Sequence, residues 1–329
     1  INPFARFAEH LALAVAAPEH FRLIELLTAL PETPLPEAHR PPRGHWILCG
    51  YGRFGHFLAE HLHPAGIELT IVDPECKPET TPNSIAGQGT EASTLRQAGI
   101  ERASGIIAGS DNDVNNLSVA VTASELKPSL FVVTRLNHNV NSPLFEAYGA
   151  DFTMVPSRIV AQECLAILTT PLLAAFLELL HQRDEAWSGA LVNRLQTLCR
   201  GLTPAVWGLK LNISAAPAAY HALLQGRAIT LGEILRDGTD RSQPLPVASL
   251  LLRREEQMIL LPPDDFPLAA GDELLLASPL SARRNLELTL RNPNELDYVL
   301  TGEEITGTWV SRWFAAQRTQ RRPAHSPDI

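Results

Sequence analysis

The chain has 329 residues, long enough for two or three domains that each bury a core of their own. Its 45% hydrophobic and 19% charged content excludes global disorder, and a formal charge of -9 argues against a nucleic-acid-binding surface. The four cysteines, Cys49, Cys76, Cys164 and Cys199, lie far apart with no C-x-x-C, so they read as free thiols rather than as disulfides or a metal site. No apolar run reaches the ~18 to 20 residues of a spanning helix. The nearest, Cys164 to Leu177, is interrupted by Thr169, Thr170 and Pro171, and the fragment is read as soluble.

Residues 1–27 read as a helix, Pro18, and a second helix. A shift of 153 positions superposes Pro3 on Pro156, Ala8 on Ala161, Pro18 on Pro171, and Glu25-Leu26-Leu27 on Glu178-Leu179-Leu180. That combination is an internal repeat. The second copy follows a nucleotide-type fold, so the first copy points to another such domain before Ile1. Residues 28–44 hold five prolines and no apolar periodicity, and are expected to form an extended linker.

At residues 45–55 a short apolar run, His45 to Cys49, meets Gly50-Tyr51-Gly52-Arg53-Phe54-Gly55, and an amphipathic segment follows at once. The order reads as strand, tight turn and helix. In a G-x-G-x-x-G turn the first glycine permits the bend, the second lets a pyrophosphate approach, and the third lets helix and strand pack closely. The helix start then offers free N–H groups and a positive dipole end to an anion. A second strand, Glu68 to Val72, ends on Asp73, where a dinucleotide fold places the carboxylate that holds the ribose hydroxyls. Further strands are expected at Ser84–Gly87, Gly105–Gly109, Leu130–Thr134 and Asp151–Val155, with helices at Glu91–Ala98, Asp113–Leu126 and Val140–Tyr148. Asp113 is the expected N-cap of its helix. The alternation predicts right-handed crossovers in a doubly wound parallel α/β sheet.

Ser157–Leu168 and a helix opened by Pro171 form a second helix pair with a wide apolar stripe. Leu168 and Phe176 are expected to face a dimer partner. After a break at Arg183–Gly189 the pattern changes to short β-like runs, Ala205–Leu211, Ala248–Arg253, Met258–Leu261 and Leu274–Ala277, with helical pieces at Pro217–Leu224 and Thr230–Arg236. This predicts a small α+β domain over residues 201–280. A polar tail with Trp309 and Trp313 follows from Arg291.

These residues resemble a known family. Gly50-Tyr51-Gly52-Arg53-Phe54-Gly55, Gly87-Gln88-Gly89-Thr90, Asp113-Val114-Asn115-Asn116-Leu117, Val132-Val133-Thr134-Arg135 and Tyr148-Gly149-Ala150-Asp151 with Pro156 are similar, in order, to the regulator of potassium conductance (RCK) module, or Trk-type nucleotide-binding domain. Arg253 and the Pro262-Pro263 to Gly271-Asp272 stretch match its small C-terminal subdomain. The resemblance implies a Rossmann-like domain over residues 45–155, crossover helices over 156–182 and that subdomain over 201–280, with residues 1–27 as the crossover pair of a preceding module. It further implies modules that pair through the crossover helices and form a gating ring at the cytoplasmic face of a membrane, under a potassium channel or transporter domain of the same polypeptide. The ligand it implies is NAD(H) or an adenine nucleotide (ADP, ATP or AMP). The loop Gly50 to Gly55, with Tyr51, Arg53 and Phe54, would meet the phosphates, Asp73 the ribose and Arg135 the far end of the cleft. Gln88 stands where the family usually has an acid, which weakens any case for a divalent cation at that spot.

Asp73 should repel a 2′-phosphate, favouring NAD(H) or an adenine nucleotide over NADP. Asp111-Asn112-Asp113-Val114-Asn115 resembles the start of a calcium loop, but Asn116 and Thr122 stand where glycine and a bidentate glutamate are needed. Asp264-Asp265 and Glu255-Glu256 read as solvated loop acids. The alternatives are an NAD-dependent oxidoreductase, for which His221 is the single histidine of residues 201–280, and a scaffold that binds no ligand.

Overall fold

The computed structural model describes residues 2–34, 40–77, 79–161, 170–180 and 182–303. The chain divides into two compact units, one built on a parallel sheet and one on an antiparallel sheet.

In the first unit, α1 (Pro3–Ala16) and α2 (Pro18–Thr28) precede β1 (His45–Cys49). Then follow α3 (Arg53–Leu62), β2 (Glu68–Val72), β3 (Ser84–Ile85), α4 (Ala92–Gln97), β4 (Gly105–Ala108), α5 (Asp113–Leu126), β5 (Phe131–Arg135), a 3-10 turn at Asn139–Asn141, α6 (Ser142–Tyr148) and β6 (Phe152–Met154). The strand order is β3-β2-β1-β4-β5-β6, all parallel. That is the order of the dinucleotide-binding α/β fold, with its switch point between β1 and β4.

The sheet is buried on both faces, and β1 shows the two-residue period that sorts them. Trp46 and Leu48 pack into one cluster with Phe54 and Leu58 of α3 and Phe7, Ala8, Leu11 and Val15 of α1. Ile47 and Cys49 pack into the other, with Leu95, Val119, Ala120 and Ala123 from α4 and α5. Trp46, Leu11 and Leu58 are fully buried, and each contributes about 1.5–3 kcal/mol of burial. Thus α1, expected as the crossover helix of another module, is part of the cover of this sheet. Pro18 opens α2, and the Glu185 carboxylate caps its start, accepting the Glu19 and His20 N–H groups at 3.0 and 3.1 Å.

Element ends fall within a residue or two of expectation, with one correction. The N-cap of α5 is Asn112, whose side chain accepts the Asn115 N–H. Asp113 is instead buried and turned toward the loop after β5. Of the linker, residues 35–39 lie outside the described residues, as do Leu168, Cys164 and the tail tryptophans. The other cysteines, Cys49, Cys76 and Cys199, are free and buried.

Residues 156–161 are helical, and Pro171 opens α7 (Pro171–Leu180), as Pro18 opens α2. The apolar side of α7 is already buried within the single chain, Leu172, Leu173 and Phe176 all being under 6% exposed. Phe176 is therefore not an open dimer face. The expected break at Arg183–Gly189 is instead the start of α8 (Glu185–Leu198), whose Leu191, Val192 and Leu195 are buried at helical spacing.

The second unit contains β7 (Ala205–Lys210), α9 (Pro217–Leu224), α10 (Leu231–Ile234), β8 (Ala248–Arg254), β9 (Gln257–Leu260), β10 (Glu273–Ser278), α11 (Leu280–Arg291) and α12 (Pro293–Thr301). Its sheet runs β7-β10-β8-β9, antiparallel, with an irregularity at Leu275/Leu276. Trp207, Leu209, Leu252, Leu274 and Leu276 form its core with Ala282, Leu286, Leu290 and Leu296, so the core continues past residue 280 into α11 and α12. Asp272, 2% exposed, accepts two hydrogen bonds from Arg254 and one from the Ala269 N–H.

Candidate functional site

The C-terminal ends of β1, β2, β4 and β5 meet at an open cleft of about 620 Å³ in the first unit. Its walls include Gly50, Tyr51, Gly52, Arg53 and Phe54 from the first turn, Asp73 from the end of β2, Ser110 and Asp111 after β4, Arg135 at the end of β5, and Phe4 of α1. Open α/β sheets bind ligands at this position, beside the switch point of the strand order.

The three glycines differ in what they allow. Gly50 adopts φ +101°, a left-handed conformation that glycine tolerates and that turns the chain off β1. At Gly55 a Cβ would stand 2.3 Å from the Gly50 carbonyl oxygen, so the helix approaches the turn too closely for any side chain. At Gly52 a Cβ would meet nothing within 4 Å, because that position faces the open cleft. Gly52 is also the N-cap of α3, and no side chain caps this helix. The first N–H groups of α3 are left for an anion from outside, at the positive end of the helix dipole.

Asp73 ties the turn to β2. Its Oδ2 accepts the Tyr51 N–H at 2.7 Å and its Oδ1 accepts the Glu75 N–H at 2.8 Å. A carboxylate oxygen has more than one lone-pair site, so acceptor capacity remains for ribose hydroxyls.

Arg135 is a cation short of partners. Its side chain makes a single hydrogen bond among the described residues, a long one from Nη1 to the Gly109 carbonyl at 3.4 Å, and its Nε is buried with none. Burial pushes the guanidinium pKa down, and nearby Arg53 adds to that, while Asp111 and Asp113 oppose it. A bound anion would relieve both the desolvation and the unmet donors.

Two α5 side chains fix the loops around it. Asn116, 1% exposed, donates from Nδ2 to the Ser110 and Arg135 carbonyls at 2.9 and 2.8 Å, and its Oδ1 accepts the Ser110 N–H at 2.8 Å. The Asp113 carboxylate accepts the Asn137 and His138 N–H groups and the Asn137 and Asn141 side-chain amides. Burial alone would raise the Asp113 pKa, but these hydrogen bonds outweigh it and hold the carboxyl below its ordinary range.

Of the residues singled out in sequence, Gly50, Tyr51, Gly52, Arg53, Phe54, Asp73 and Arg135 all line the cleft. Gly55 sits behind the turn, and Gln88 is exposed and not among the lining residues. Its neighbour Gly89 packs on Cys49, where a Cβ would come within 2.6 Å of Sγ. Sequence reasoning did not assign Ser110, Asp111, Lys77 or Phe4 to the cleft, and met Asp111 only in a calcium-loop reading that failed. The first two were findable, since they directly follow a strand end. Phe4 lies outside the strand-turn-helix unit and had no local signal. No group of three or more His, Cys, Asp or Glu among the described residues could hold a metal ion.

Residues 46–156 match the family model of the TrkA-N domain. Over 148 residues the chain is 29% identical to potassium channel protein 1 of Methanocaldococcus jannaschii, covering 43% of this chain and 44% of that protein. Over 141 residues it is 27% identical to a Trk system potassium uptake protein TrkA homolog of Methanothermobacter thermautotrophicus, covering 41% and 65%. The chain thus spans less than two thirds of either relative. Among solved structures it is similar to the GsuK channel bound to NAD, at 22% identity, 78% of this chain, 39% of that one and a TM-score of 0.37. It is also similar to the Shewanella denitrificans Kef CTD in AMP bound form, at 22% identity, 45% of this chain, 98% of that one and a TM-score of 0.36. TM-scores this low have no bearing on the geometry of the cleft.

Proposed function

We propose, from the premise that residues 46–156 are a TrkA-N domain, that this chain is a nucleotide-sensing regulatory module of a potassium channel or transporter. The observation that carries the reading is the pairing of an open glycine, Gly52, at an uncapped helix start with an under-partnered cation, Arg135, on one cleft. The two features suit a phosphate-bearing ligand, and Asp73 at the end of β2 suits a free ribose 2′-hydroxyl. The ligand class is therefore NAD(H) or an adenine nucleotide such as ADP, ATP or AMP, with NADP disfavoured. The potassium link rests on the family match and on the names of the two relatives.

In this reading the ligand acts by differential affinity. A nucleotide that binds one arrangement of the module better than another shifts the population toward it, and the shift passes to an attached membrane domain. A coupling of ~1–3 kcal/mol would change the opening equilibrium ~5- to 150-fold. The module works at the cytoplasmic face of the membrane, self-associates and joins a pore domain in the same polypeptide. Among the described residues no helix is long and apolar enough to cross a membrane. The chemistry is binding rather than turnover, with no catalytic residue assigned.

The test is potassium flux in vesicles carrying the whole transport protein, with each nucleotide added on the side of this module. Flux should change with NAD(H) or an adenine nucleotide and lose that response in Gly52→Val. Flux indifferent to every nucleotide would sink the gating reading and leave an assembly scaffold.

A further inference from the structure

Phe4 reaches the cleft from α1, a helix outside the strand-turn-helix unit that forms the rest of the turn. Its ring centroid lies 5.7 Å from that of Phe54, the second residue of α3, which is 2% exposed. Both rings face the Arg135 guanidinium, whose central carbon is 4.7 Å from the Phe4 centroid and 5.4 Å from that of Phe54. We propose that Phe4 is a positioning residue of the cleft: its ring holds the Arg135 guanidinium by its face, leaving the edge N–H groups free to take a ligand phosphate beside the α3 start. This inference rests on the nucleotide reading of the same cleft.

The geometry of the guanidinium carries the argument. The group is planar, and its donors lie in that plane, so a ring stacked on the face competes with none of them. A carboxylate would do the opposite, occupying the fork that a phosphate needs. Exposed Asp111, which lines the same cleft and acts electrostatically on Arg135, is the group that would take the fork if the side chain were free to swing. Little else restrains Arg135, given one long hydrogen bond and an unmet Nε. The rings therefore choose the orientation.

Phe4 itself is well fixed. Asn2 caps α1 by accepting the Phe4 and Ala5 N–H groups at 3.0 and 3.4 Å, and the next turns bury Phe7, Ala8 and Leu11 against the sheet. The role is particular to this copy of the repeat, because the 153-residue shift places Ser157 where the first copy has Phe4. A serine offers no ring.

The experiment is calorimetric titration of the 329-residue chain with ADP, for wild type, Phe4→Leu, Phe4→Tyr, Arg135→Ala and Phe4→Leu combined with Arg135→Ala. Leucine keeps apolar bulk at the α1 start, and melting curves confirm that each variant folds. Phe4→Leu should weaken ADP about fivefold or more, the size of a partly desolvated cation–π contact, while Phe4→Tyr stays within about twofold of wild type. In the Arg135→Ala background Phe4→Leu should add no further loss, because the ring acts through the guanidinium. ADP binding by Phe4→Leu within about twofold of wild type would overturn the proposal, as would an equal loss with and without Arg135. Wild type that binds no ADP, NAD, NADH, AMP or ATP would overturn the nucleotide reading itself, and the positioning role with it. Normal wild-type binding with an indifferent Phe4→Leu would overturn the positioning role alone.

Discussion

The glycine turn makes a prediction that separates folding from binding. A Cβ at Gly55 would lie 2.3 Å from the Gly50 carbonyl oxygen and 3.2 Å from its carbon, and both are backbone atoms at the end of a buried strand. Neither can swing aside as a flexible side chain would, so α3 or the turn must shift. Overpacking of this kind costs typically 1–3 kcal/mol, and a backbone clash belongs at the upper end, about 3 kcal/mol. For a unit of this size that corresponds to a melting temperature roughly 6–12 °C lower. At Gly52 the same added methyl meets nothing within 4 Å, and the backbone there, φ -74°, is open to any L-residue. Gly52→Ala should change stability by no more than about 1 kcal/mol, because the reduced freedom of the unfolded chain is offset by alanine's poorer fit at the α3 N-cap. Differential scanning calorimetry of the two variants beside wild type reads the contrast directly. Equal melting temperatures for Gly55→Ala and Gly52→Ala would refute the assignment of packing to one glycine and ligand access to the other.

Two further predictions concern the side chains that brace the cleft. Asn116→Ala removes an amide that satisfies three backbone groups around Ser110 and Arg135, and should destabilise the unit by about 2–3 kcal/mol in urea denaturation. A loss under 0.5 kcal/mol would show that those groups find other partners. Asp113 has a depressed pKa in the folded chain, so its contribution is fully present above the unfolded value, about 3.9, and is lost as pH falls through the lower folded value. The stability difference between wild type and Asp113→Asn should therefore be flat above about pH 5 and shrink below about pH 4. A difference that grows on acidification would reverse the sign of the argument.

Much of the parallel-sheet unit was legible because its signals are local. The alternation of apolar strands and helices gave the chain order, but not the facing of β1, because His45–Cys49 is one apolar run buried on both faces; only the structure puts Trp46 and Ile47 on opposite faces. Asp113 shows where such reading stops. A helix start rich in Asp and Asn could be capped by Asn112 or by Asp113, and the choice went to Asn112 because Asp113 is taken up by Asn137, His138 and Asn141 in the loop after β5. Helix α8 was hidden by Gly189, yet its Leu191, Val192 and Leu195 keep helical spacing. Helices α11 and α12 were obscured by a polar composition, although Ala282, Leu286 and Leu290 recur every fourth residue and Asn292-Pro293 is a capped start. The packing of α1 on the sheet could not be read from sequence, since an amphipathic helix states that it needs a cover and not which surface supplies it. Phe4 follows from that packing, which is why it became visible as a cleft residue only in three dimensions.

The central claim is that the Gly50–Arg135 cleft binds a nucleotide. Isothermal titration of the 329-residue chain with NAD, NADH, ADP, ATP and AMP tests it most directly, with Gly52→Val as the matched control. The account predicts saturable binding of at least one of them and a loss of at least about 30-fold, roughly 2 kcal/mol, in a Gly52→Val chain that melts like wild type. No binding of any of the five, or equal affinity in Gly52→Val, would contradict it.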